Sequence, residues 1–185
     1  MSRFKVLAAN PRRSLAALAT VLVAVGVTGA SGASFTAQTA NPSNVFSAGT
    51  MTMSNSKDNL AILTASNMKP ADPASLGTVD IKNTGSLAAA FTLSKGTSVD
   101  SDLVNTMSGK LDVIVTDCGT DLDCAAGVNT VKYTGTLAAM GANIALGNFA
   151  AAEQRRYQFS VALNSTAGNV YQGGINTTQF LWNAS

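Results

Sequence analysis

Between residues 156 and 163 the chain alternates side chains with a period of two. Tyr157, Phe159, Val161 and Leu163 fall on one side; Arg156, Gln158 and Ser160 fall on the other. Only an extended backbone sorts neighbours this way, because successive side chains leave a strand on opposite faces. A strand with one apolar face must bury that face against a second layer. The pattern recurs. Leu111, Val113 and Val115 alternate with Asp112, Ile114 and Thr116, where Ile114 blurs the polar face. Val79 and Ile81 lead into Asn83-Thr84-Gly85-Ser86, after which Leu87, Ala89, Phe91 and Leu93 resume the alternation. Two alternating runs around such a turn predict a hairpin. Further strands are expected at Thr50–Ser54, Leu60–Ala65, Val128–Tyr133, Asn143–Phe149 and Ile175–Trp182.

Turn chemistry punctuates these runs: Lys69-Pro70-Ala71-Asp72-Pro73, Lys95-Gly96, Ser108-Gly109 and Ala167-Gly168-Asn169. Helix signals are sparse. Ser101–Asn105 reads as one turn behind a Ser cap, and Leu137–Met140 as a short helix or a loop. The expectation is about eight strands in an all-β sandwich or barrel. KNTGSLAA (82–89) echoes KYTGTLAA (132–139). Shared turn chemistry explains the echo better than a duplicated half-sandwich, since one pair does not make a repeat array.

Residues 1–33 read as a secretory signal peptide. Arg3, Lys5, Arg12 and Arg13 form a positive leader, and Leu15–Val27 is an apolar run of the right length. A spanning helix needs roughly 20 apolar residues, and Thr28, Gly29, Ser31 and Gly32 arrive too soon. A poorly cleaved anchor is the alternative. Cleavage is expected between Ala33 and Ser34, with Ala30 and Ala37 as other small-residue positions. Arg12-Arg13-Ser14-Leu15 brushes against the twin-arginine pattern, although simple leader positivity accounts for it. No cysteine follows the apolar run, so no lipid anchor is indicated. The mature chain, from about residue 34, is expected to be secreted, with no stable membrane anchor. Without the four leader cations the remainder holds 8 basic and 10 acidic residues, a net charge of −2. That balance gives no electrostatic footprint for nucleic acid.

The chain has no histidine. Ser-His-Asp and Cys-His nucleophile systems and imidazole zinc sites are therefore excluded. Cys118 and Cys124 bracket CGTDLDC, and in an oxidising compartment the pair is expected to form a disulfide. Asp117, Asp121 and Asp123 cluster around them. Oxygen ligands so close could hold Ca²⁺, but the spacing lacks the EF-hand glycine and glutamate, and a solvated acidic loop is the simpler reading. Asp100 and Asp102 read likewise. Gly168, Gly173 and Gly174 belong to a turn between the last strands, since no helix follows to make a phosphate loop. Phe180 and Trp182 are expected to pack between sheets rather than to bind sugar. No catalytic residue, cofactor site or metal-ligand set is expected.

The run GASFTAQTANPSNVFSAGTMTMS (32–54) resembles the mature start of the TasA/camelysin family, with Asn44–Thr50 fitting its N-x-F-x-A-G-T motif. Asn67–Asp72 is similar to the family's N-x-K-P-G-D turn, with Ala71 in place of Gly. Lys82–Leu87, Tyr133–Leu137, Asn169–Gly173 and Phe180–Ala184 match further motifs in order. The likeness spans nearly the whole mature chain. It implies a jelly-roll-like β-sandwich (47–185), processing by an ER-type signal peptidase, and a fibre subunit of a biofilm matrix or cell surface. It also implies that an N-terminal arm, residues 34–46, is donated as a strand to the next copy. Ser34, Phe35, Thr36, Ala37, Gln38, Val45 and Phe46 are the residues expected to pair. The partners are then other copies of the chain and related minor subunits. The arm's composition fits this role. It lacks alternation and Pro42 interrupts it, so it cannot hold itself as a strand, yet Phe35 and Ala37 could fill a groove on another copy. A heterologous contact that does not close grows into a filament.

The rival reading is a monomeric exported sandwich that binds wall polysaccharide. Camelysin-like proteins are described as metalloproteases. A zinc protease needs three ligands and a general base, and this mature chain offers no His and a single Glu, Glu153. The chain is therefore not expected to be an enzyme. Asn164, Asn176 and Asn183 begin glycosylation sequons, which the bacterial character of the resemblance leaves without a role.

Overall fold

The alternating runs become strands. A computed structural model describes residues 45, 47–127 and 129–185. Eight strands occur among them: β1 (Met53–Asn55), β2 (Ser75–Asn83), β3 (Ala89–Asp100), β4 (Leu111–Asp117), β5 (Thr130–Thr136), β6 (Ile144–Phe149), β7 (Gln154–Leu163) and β8 (Asn176–Ala184). Among the described residues the helical content is two short 3-10 turns, Met107–Lys110 and Asn169–Tyr171. One sheet has the order β1-β2-β7-β4-β5 and the other β6-β3-β8. Every pairing is antiparallel. The chain is thus an all-β sandwich, and Ser47–Ser185 form one unit.

The core follows the alternation. Tyr157, Phe159, Val161 and Leu163 of β7 face inward beside Leu111, Val113 and Val115 of β4. Val79 and Ile81 of β2 extend that face, and Phe91, Leu93, Leu146 and Phe149 meet it from the second sheet. Phe91 stacks on Phe149, with ring centres 4.2 Å apart. Phe180 and Trp182 pack between the sheets as expected, over Phe159 and Tyr157 at 4.8 and 5.3 Å.

Several expectations need correction. Residues 79–93 do not form a hairpin. β2 lies in the five-stranded sheet and β3 in the three-stranded one, so Thr84–Ala88 arch across the sandwich. Buried Asn83 holds the arch: its Nδ2 donates to the carbonyls of Leu87 (2.8 Å), Ala150 (3.1 Å) and Phe149 (3.3 Å), and its Oδ1 accepts from Gly85 N–H. Leu60–Ala65 is not a strand; Ile62 and Leu63 instead lie against the core from a loop. Their seat is Gly77, where a Cβ would collide with Ile62 O and Leu63 Cβ. Lys95-Gly96 is a bulge within β3 rather than a turn. Ser101–Asn105 is not helical, because Asp102 captures the amides of Val104 and Asn105 in its own turn. Leu137–Met140 is a turn with Leu137 and Met140 buried. The two echo segments differ in role: Thr84-Gly85 lies in the arch, whereas Thr134-Gly135 lies inside β5.

The expected signal segment 1–33, its cleavage position at Ala33/Ser34, and the donor residues Ser34, Phe35, Thr36, Ala37, Gln38 and Phe46 lie outside the described residues. Val45 lies inside them and is exposed. Among the described residues no helix is long and apolar enough to cross a membrane.

Candidate functional site

A sandwich of two open sheets has edges, and each edge presents unpaired main-chain groups. Natural edges are guarded by shortness, charge, proline or bulges. Three of the four edges here carry such guards. β1 is three residues long. β5 carries Lys132 and a register shift against β4. β6 has six residues, a register shift against β3, and Gly147 at φ 103°. β8 differs. Its nine residues, NTTQFLWNA, contain no charge and no proline, and the bulge in the β3–β8 pair adds residues to β3 only.

The register shows which groups β8 leaves open. Ser185 and Ala90 exchange both main-chain bonds, at 3.0 and 2.9 Å, and Ser101 N–H donates to Ile175 O at 2.9 Å. In an antiparallel pair, residues bonded to the partner alternate with residues turned away. Thr177, Leu181 and Asn183 therefore point their main chain at β3. Asn176, Thr178, Phe180, Trp182 and Ala184 point theirs outward. Among the described residues nothing bonds the main-chain N–H or C=O of those five. The same five turn half-buried side chains toward the interior. The β7–β8 ring contacts set β8 over β7, so β2 and β1 extend beyond the last strand of the smaller sheet. An extended segment added beside β8 would gain a row of main-chain bonds and cover the flanks of Phe180 and Trp182. Sequence reasoning placed Phe180 and Trp182 correctly in the interior but did not single out β8 as an edge. An uncharged nine-residue strand was the available signal.

A polar cluster closes the interior near the other end of β4 and β7. Asp117, buried, lies 3.3 Å from Arg155 Nη1 and 3.4 Å from Lys132 Nζ. Arg155 Nε also donates to Glu153 at 2.6 Å, and its guanidinium lies over the Phe149 ring. Burial disfavours the ionised form of Glu153, but hydrogen bonds from the Ala150 amide and Arg155 outweigh it and hold the pKa below the usual value. Burial drives the Tyr157 phenol upward, with the Asp117 charge adding to it and Arg155 opposing it. Such a cluster locks strands together.

Cys118 and Cys124 form the expected disulfide. Its loop is docked on β7: Arg156 N–H donates to Gly119 O, Cys118 N–H donates to Arg156 O, and Arg156 Nη1 donates to Leu122 O. The three aspartates of this region do not converge on one point. Asp117 turns inward to Arg155, while Asp123 accepts from the Ala125 and Ala126 amides. Among the described residues no group of three potential metal ligands is gathered. Gly168 and Gly173 flank the second 3-10 turn, Gly173 at φ 70°, as a connection between β7 and β8. A shallow depression lined by Ser54, Asn55, Ser56, Asp80, Lys82 and Gln154 has no aromatic side chain in that lining. No known family model matches this chain, and no curated protein is detectably similar to it.

Proposed function

We propose that the protein is an exported structural subunit of extracellular-matrix or cell-surface fibres, assembled head to tail by strand donation. The arm of one copy, residues 34–46, pairs with the β8 edge of the next. The observation that carries this reading is the nine-residue, uncharged edge of β8, open on one side among the described residues, with its half-buried aromatic side chains. Main-chain bonds supply the adhesion, each worth about 1 kcal/mol net. Burying an apolar side chain such as Phe35 adds about 1.5–3 kcal/mol. The partners are copies of the same chain and related minor subunits, with an ER-type signal peptidase acting during export. No enzymatic role is assigned. Deleting residues 34–46 should leave exported subunits that fold and remain monomeric by light scattering. Fibres unchanged in electron micrographs after that deletion would overturn the reading.

A further inference from the structure

The two ends of the sandwich differ, and strand polarity decides which ends of neighbouring copies meet. At one end, the arch end, Thr50 N–H donates to Ser86 Oγ at 2.9 Å and Thr50 O accepts from the Ser86 and Leu87 amides. The first residues of the Ser47–Ser185 unit lie here, and β8 finishes here beside Ala90. At the opposite end, the tip end, β8 begins beside Asp100. An arm that reaches a neighbour from that neighbour's tip end runs antiparallel to β8. An arm that reaches it from the arch end runs parallel. Antiparallel pairing is the more stable per residue and is the arrangement of every pair in this molecule. The arch end of the donor therefore faces the tip end of the acceptor.

Both ends carry exposed apolar side chains. At the tip end, Leu103 and Val104 are each 87% exposed, with Ile175 64% exposed on the neighbouring segment. Two carboxylates hold this loop in shape. Asp102 Oδ1 accepts from the Val104 amide (2.8 Å) and the Asn105 amide (3.2 Å). Asp100 accepts from the Ser108 amide and hydroxyl and from Asn176 Nδ2. A braced loop that displays two consecutive large apolar side chains gains nothing within its own subunit. At the arch end, Met51 and Leu87 are 51% and 47% exposed. Leu87 lies across Gly49, where no Cβ would fit.

We propose that Leu103 and Val104 of one copy seat against Met51 and Leu87 of the next, as a second, end-to-end contact that sets how subunits stack. The contact rests on the strand-donation reading, because strand polarity brings these two ends together. Both cysteines of the chain are tied in the disulfide, so single exposed cysteines report contacts cleanly. The exported chain bearing V104C, mixed with the chain bearing M51C under mild oxidation, should give the mixed disulfide at least about tenfold over the V104C–V104C dimer. The L103S/V104S double variant should melt as the parent does and raise the critical concentration for fibre formation by about tenfold. Like-with-like disulfides, or an unchanged critical concentration, would overturn the contact while arm-dependent fibres left strand donation standing. Loss of binding to anionic lipid vesicles with unchanged assembly would assign the tip to a membrane and overturn it too. Failure of the unaltered chain to form fibres would remove strand donation and this contact together.

Discussion

Asn83 shows how one buried polar residue can fix a connection. It is fully buried, and its amide ties the Leu87 carbonyl of the arch to the Phe149 and Ala150 carbonyls at the end of β6 while its oxygen caps Gly85. An asparagine before Thr-Gly reads as a turn residue, and its neighbourhood read as a hairpin for that reason. What distinguishes an arch from a hairpin is the destination of the next strand, which these residues do not encode locally. Asn83→Ala removes the side-chain donor to the Leu87, Phe149 and Ala150 carbonyls and the acceptor of the Gly85 amide. It should destabilise the subunit by about 3 kcal/mol, read as a shift in the urea midpoint at constant slope. An Asn83→Ala chain with an unaltered midpoint would show that the arch holds itself by packing alone.

At the scale of elements, β7 and β8 are both regular strands with opposite surroundings. β7 sits between β2 and β4, so its main-chain groups are paired on both sides. Among the described residues β8 pairs with β3 alone. Thr178 offers a selective probe, since its main chain turns away from β3. Thr178→Pro removes an outward N–H and costs the subunit the side-chain bonds of Thr178 Oγ1 with Ser98 (2.7 Å) and Asn176 (2.6 Å), together about 1–2 kcal/mol. An incoming strand loses a donor and meets the pyrrolidine ring. Melting should change little while fibre formation, followed by turbidity and negative-stain imaging, is lost. Normal fibres from folded Thr178→Pro would place the acceptor on another edge.

For the whole molecule, the absence of histidine has a consequence for pH. No imidazole titrates between pH 5 and 8, so folding stability should be level across that range. Loss begins with the carboxylates. For Asp100, burial opposes ionisation, but hydrogen bonds from Ser108 and Asn176 outweigh it and lower the pKa below the ordinary 3.8. Glu153 lies below the ordinary 4.5 through Ala150 and Arg155, again against the opposing effect of burial. A carboxylate with a depressed folded-state pKa contributes fully above its unfolded value, and that contribution is lost as pH falls through the folded value. Thermal melts should therefore hold from pH 8 to pH 6 and drop below about pH 4. A melting temperature rising steadily toward acid would contradict the assignment.

The period-two alternation in 111–115 and 156–163 by itself determined that these segments are strands and which side chains are buried, because that pattern is a local property of extended backbone. The two closely spaced cysteines, read with the expected export to an oxidising compartment, likewise pointed to the disulfide that forms. Local chemistry misled where a distant partner decides the outcome. Leu60–Ala65 has strand-like residues but lies as a loop, since its apolar side chains are met by Gly77 rather than by a neighbouring strand. Lys95-Gly96 has turn residues but lies within β3, since β8 continues alongside to carry the pairing onward. The open edge of β8 belongs to the same class of fact. Whether a strand is central or marginal depends on how many strands the rest of the chain sets beside it, and only the tertiary arrangement supplies that count.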